Sequence, residues 1–134
     1  MVEFDADTIR IFLHLLGASV WIGGQIVLAA LVPVLRTLGP DAPRAAANRF
    51  GRVAWPFFAL VVATGIWNML TLDYDVLETS YHMTLGIKML LVAASGIAAF
   101  VHSNTSNVAL RGVTGGGGLV AGLAAMVLGV MLVI

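Results

Sequence analysis

Long apolar runs alternate with short polar breaks along the whole chain. Four stretches, at about residues 8–35, 50–72, 81–103 and 115–134, are each long enough for the roughly 20 helical residues that cross a hydrocarbon core. Backbone groups in lipid find no partners except one another, which favours helices, and the strict alternation of barrel strands is absent. The pattern predicts an all-α fold, an integral membrane four-helix bundle with antiparallel neighbours. It forms a single domain over residues 1–134, without internal repeats or long linkers. Asp7 is the expected N-cap of the first span, Pro33 interrupts that span late, and Pro56 falls in the opening turn of the second span's apolar run, Val53 to Leu72.

Composition supports this. Hydrophobic residues make up 60% of the chain and charged residues 10%, where a soluble domain carries about 25% charge. Mean hydropathy is +0.99. The absence of cysteine excludes disulfides, thiolate metal sites and covalent haem attachment at a Cys-x-x-Cys-His motif. Net charge is zero and no basic run exists to hold nucleic acid. The start, MVEFDAD, is acidic rather than basic, so the first apolar segment is expected to be a permanent helix rather than a secretion signal.

Charge in the connections predicts orientation. Arg36, Arg44, Arg49 and Arg52 surround the first connection against a single Asp41. The second connection holds Asp73, Asp75 and Glu78 without Lys or Arg, and the third carries Arg111. The positive-inside rule then puts the first and third connections in the cytoplasm and both termini outside, in the plasma (inner) membrane of a bacterium. Asn104-Thr105-Ser106 matches a glycosylation triplet but falls on the cytoplasmic side.

Ionisable groups at membrane depth are costly, so each needs an explanation. His14 lies about one turn into the first span and Lys88 about a turn and a half beyond Met83, entering from the same side. By helix rise the two reach nearly the same depth. Thr64, Trp67 and Asn68 on the second span return toward that layer. Tyr81, Lys88, Ser95 and His102 recur at steps of seven, which makes one polar stripe on the third span. His14, Gly17, Ala18, Trp21, Gly24 and Gln25 share a broad face of the first, where the small residues would leave a groove beneath the imidazole. Gly65, Gly96, Gly118, Gly122 and Gly129 would allow close helix contact, and glycine-rich faces would allow a homodimer.

His14 followed by Trp21-Ile22-Gly23-Gly24, then RFGRVAWPFFALVVATGIWNML, then SYHMTLGIKMLLVAASG, resembles the CopD-like copper-resistance membrane domain over the first three spans. The chain is also similar, more distantly, to HemJ-type protoporphyrinogen oxidases. Carried over by position, that resemblance implies functional roles for His14 and Lys88. The first likeness implies copper handling, and the second redox chemistry on a tetrapyrrole.

Two cofactor readings compete. In the first, the protein binds haem b or a porphyrin and has a redox or electron-transfer role, with an oxidoreductase activity left open. His14 is the axial ligand. Lys88 pairs with a propionate, ligates when deprotonated, or relays a proton. Gly17, Trp21, Gly24, Trp67 and Asn68 line the pocket. In the second reading copper enters at His82 and Met83 beside the acidic connection and passes inward by His14 and Met69. Cu(I) prefers thiolate and thioether ligands, yet cysteine is absent and the methionines form no ladder. The haem reading is favoured because His14 and Lys88 converge at one depth while copper's preferred ligands are scarce. His82 is a poor second axial ligand, being about 9 Å nearer the surface than the His14 level and rotated off the stripe. The third reading is a non-catalytic accessory subunit of a membrane complex. In every reading the lipid bilayer is the first partner.

A topology reporter fused to either terminus should be active only outside the cytoplasm. Cytoplasmic activity at the C-terminus would overturn the orientation.

Overall fold

The computed structural model describes residues 2–134, leaving Met1 outside the described residues. Four helices are long and apolar enough to cross a membrane: Ala6–Leu38, Ala42–Leu70, Thr79–Asn104 and Val108–Met131. The first comprises α1 (Ala6–Ala18), a π-helical turn (Ser19–Gly23) and α2 (Gly24–Leu38), and the others are α3 (Ala42–Leu70), α4 (Thr79–Asn104) and α5 (Val108–Met131). Only 11 to 17% of each apolar window is buried, so most apolar side chains are left for lipid. The all-α expectation holds, and the helices are compatible with a membrane four-helix bundle. The chain divides into two compact units, Met1–Leu72 and Asp73–Ile134, each a helical hairpin.

In the first hairpin Asp5, not Asp7, caps α1. Its Oδ1 accepts from the Thr8 backbone N–H at 2.8 Å and from the Thr8 hydroxyl at 2.8 Å. Asp7 is drawn instead into an ion pair with Arg10 at 2.9 Å. The Thr8 backbone N–H, followed by the Thr8 hydroxyl, holds the Asp5 carboxyl below its ordinary value. A depressed carboxylate of this kind contributes stability above its unfolded value and loses that contribution as pH falls through the lowered folded one. The helix runs unbroken through Pro33 to Leu38. It ends at Gly39, whose φ of 145° no L side chain adopts comfortably.

The next helix begins at Ala42, well before the apolar run, because Pro43 sits in its first turn and Ala45, Ala46 and Ala47 favour helix. Pro56 therefore lies inside α3 and not in its opening turn. Small residues set the spacing between the two helices. A methyl group at Gly17 would lie 2.6 Å from Val61 Cγ2 and 2.9 Å from the Phe57 carbonyl oxygen, while Gly24 faces the Phe50 ring. These positions are filled by α3, so the groove expected beneath the imidazole is absent from this face. Trp21 is buried and packs on Phe58 at 4.4 Å and Trp55 at 5.1 Å, ring centre to ring centre.

In the second hairpin Asn107 caps α5 by accepting from the Leu110 N–H at 3.0 Å. The helix then continues through the glycines at 115–118. Gly118 rests on Ala98, where an added methyl would approach to 3.0 Å, and on the Ser95 carbonyl. Arg111 Nη2 donates to the Thr105 carbonyl at 2.7 Å. His102 Nδ1 lies 2.7 Å from the Arg111 carbonyl, which can only accept, so the nitrogen carries the proton.

Gly17→Ala should destabilise the first hairpin by about 1–3 kcal/mol, because backbone as well as side chain must move. Gly51→Ala, in open space on α3, should instead gain about 0.5–1 kcal/mol. Unfolding in detergent checks both, and equal effects would discount the close approach at Gly17.

Candidate functional site: an oriented imidazole in the first hairpin

His14 is partly buried and turned toward α3, where its Nδ1 lies 2.9 Å from Thr64 Oγ1. Thr64 is 3% exposed, and its hydroxyl lies 2.6 Å from the Leu60 carbonyl and 3.2 Å from that of Val61. A hydroxyl has one hydrogen, and the short bond to Leu60 takes it. Thr64 therefore accepts from His14, so Nδ1 carries a proton, and in the neutral imidazole the lone pair lies on Nε2. This is how a metal-binding histidine is oriented, with one ring nitrogen donating to a fixed partner and the other presenting its lone pair. Gly65 completes the seat, because a methyl there would meet His14 Cε1 at 3.5 Å.

The other residues expected to line the pocket are dispersed. Trp21 belongs to the aromatic cluster with Trp55 and Phe58. Gly17 and Gly24 are helix-packing positions. Trp67 is 40% exposed, and Asn68 is partly buried one turn beyond Thr64.

The apolar pattern passes over one residue. Arg10 is 8% exposed, pairs through Nη1 with the exposed Asp7, and has its Nε buried without a hydrogen-bond partner among the described residues. Arg10 lies within the span predicted at about residues 8–35, next to its polar start, and the pattern assigns it no role there. Spacing was the available signal, since Arg10, His14, Gly17 and Trp21 step by four, three and four along one face.

In the second hairpin the polar stripe of α4 faces α5. A methyl at Gly129 would lie 3.1 Å from Lys88 Nζ, and one at Gly115 would lie 2.9 Å from the His102 ring. Lys88 is half-buried and makes no hydrogen bond or ion pair among the described residues. The glycine opposite gives its amine room.

At the expected copper entry His82 is exposed and stacked on Tyr74, with ring centres 5.7 Å apart, and Met83 is 63% exposed. Among the described residues no three His, Asp or Glu side chains gather to hold a metal ion, so the acidic connection does not close around His82.

Fold and site together define a helical membrane protein with an oriented histidine inside its first hairpin. The chain matches no protein-family model, no curated protein and no solved structure. The functional reading accordingly stands on the residues themselves.

Thr64→Val removes the acceptor for His14 and should cost about 1–3 kcal/mol, the penalty for a stranded buried donor. Thr64→Ser should restore most of it. Nitrogen NMR of labelled histidine should report a proton on Nδ1 in the wild type and a mixture of tautomers in Thr64→Val. A wild type protonated on Nε2 would refute the assignment.

Proposed function

We propose that the protein binds haem b in the membrane through His14 and serves a redox or electron-transfer role. The observation that carries this reading is the hydrogen bond from His14 Nδ1 to Thr64, which orients the ring and, in the neutral imidazole, puts the lone pair on Nε2. A haem bound there supplies one-electron chemistry, and the polypeptide contributes the axial nitrogen, its orientation and an apolar surround. Gly17 and Gly24 are no part of the seat, being covered by α3. The plasma membrane, external termini and a homodimer through glycine faces belong to the same proposal.

Copper handling is less favoured by the donor set. His82 and Met83 have no carboxylate gathered beside them, and cysteine is absent.

Detergent-purified protein should show a Soret band that His14→Ala abolishes and that Arg44→Met leaves in place. A colourless protein retaining copper after dialysis would favour the copper reading. Absence of both would leave an accessory subunit.

A further inference from the structure

The chain carries seven acidic residues, Glu3, Asp5, Asp7, Asp41, Asp73, Asp75 and Glu78. All lie near the N-terminus or at the connections, so no carboxylate reaches deeper into the first hairpin than Asp7. Arg10 is nonetheless buried there. Its only partner among the described residues is Asp7, which occupies Nη1, and the Nε hydrogen is sealed from water without an acceptor. A buried donor in that condition costs free energy until an acceptor arrives.

The antiparallel register of the hairpin says what stands opposite. His14 meets Thr64 and Gly65, and Gly17 meets Val61 and Phe57. One turn the other way, Arg10 is four residues before His14 and Asn68 is four after Thr64, so the two stand level on facing stripes. The Asn68 side chain is partly buried, and its amide makes no hydrogen bond among the described residues. A guanidinium edge and a carboxamide, both without acceptors among the described residues, therefore stand at one level, one helical turn from the oriented imidazole.

We propose that Arg10 and Asn68 form an oxyanion site that takes a carboxylate of the ligand held by His14. The Nε–Nη2 edge of Arg10 matches the two oxygens of a carboxylate, and the Asn68 amide adds a third donor. One turn rises about 5.4 Å, so a single tetrapyrrole can reach both levels, with its ring at His14 and a rim carboxylate at Arg10. The inference rests on the haem reading for the owner of the carboxylate, which is then a propionate. A lipid phosphate offers the same oxyanion chemistry and is separated by experiment.

The full chain in detergent is titrated with haem and with haem dimethyl ester, whose carboxylates are blocked, and the Soret band is followed. Arg10→Gln should weaken haem binding about tenfold, the order expected for a charge-assisted hydrogen bond, and leave binding of the ester unchanged. Asn68→Leu should act in the same direction, and Arg10→Lys should recover part of the loss. If Arg10→Gln affects both ligands alike, or neither, the site is overturned. If the wild type binds no haem, the haem reading fails and the oxyanion site is judged separately. Thermal unfolding with oleate and with dioleoyl phosphatidic acid is then compared between wild type and Arg10→Gln. A rise in midpoint that needs Arg10 upholds the site, with the effective lipid naming carboxylate or phosphate, and identical shifts in both proteins overturn it.

Discussion

Packing apolar side chains against one another gains little where the alternative is a lipid tail. Helix association inside a bilayer therefore depends on close van der Waals fit and on hydrogen bonds. In the first hairpin both are concentrated in a few positions. Gly17 lets the first helix approach the backbone of α3 near Phe57 and Val61, and that approach brings His14 within reach of Thr64. Widen the contact by the size of a methyl group and the imidazole loses its acceptor. The glycine that the sequence offers as pocket space is used to set a distance.

The Thr64 hydroxyl does two jobs with one hydrogen. It returns its proton to the carbonyl one turn back, as threonine often does in helices. In doing so it becomes a pure acceptor toward His14 and decides which imidazole nitrogen is basic. A serine keeps this logic and a valine does not. The second hairpin uses a parallel device at its turn, where His102 donates to the Arg111 carbonyl and lies over Gly115. There the histidine ties two helices together, so an oriented imidazole alone does not make a cofactor site. What sets His14 apart is the buried Arg10 one turn away, a cation whose Nε lacks an acceptor among the described residues.

The π-helical turn at Ser19–Gly23 sits between the His14 level and the Gly24 contact, and a wider turn rotates the residues after it relative to those before it. Ser19 bonds back to the Leu15 carbonyl at 2.7 Å just where the ladder loosens. Trp21 and Ile22 are buried within this turn, and Trp21 anchors the aromatic cluster with Trp55 and Phe58. The Trp-x-Gly-Gly motif thus has a structural use in helix packing.

From the sequence alone, the number of spans, their helical nature and the polar stripe of α4 were legible, because each depends only on length and period along one chain. His14 was legible as a residue needing a partner, since an imidazole at that depth demands one. Its partner was not, because Thr64 is fifty residues away and only the register of two packed helices brings them together. Asp5 rather than Asp7 as the cap, the filling of the Gly17 and Gly24 faces by α3, and the burial of Arg10 were likewise decided in three dimensions. Each depends on what stands opposite a residue, and periodicity tells which way a side chain faces without telling what it meets.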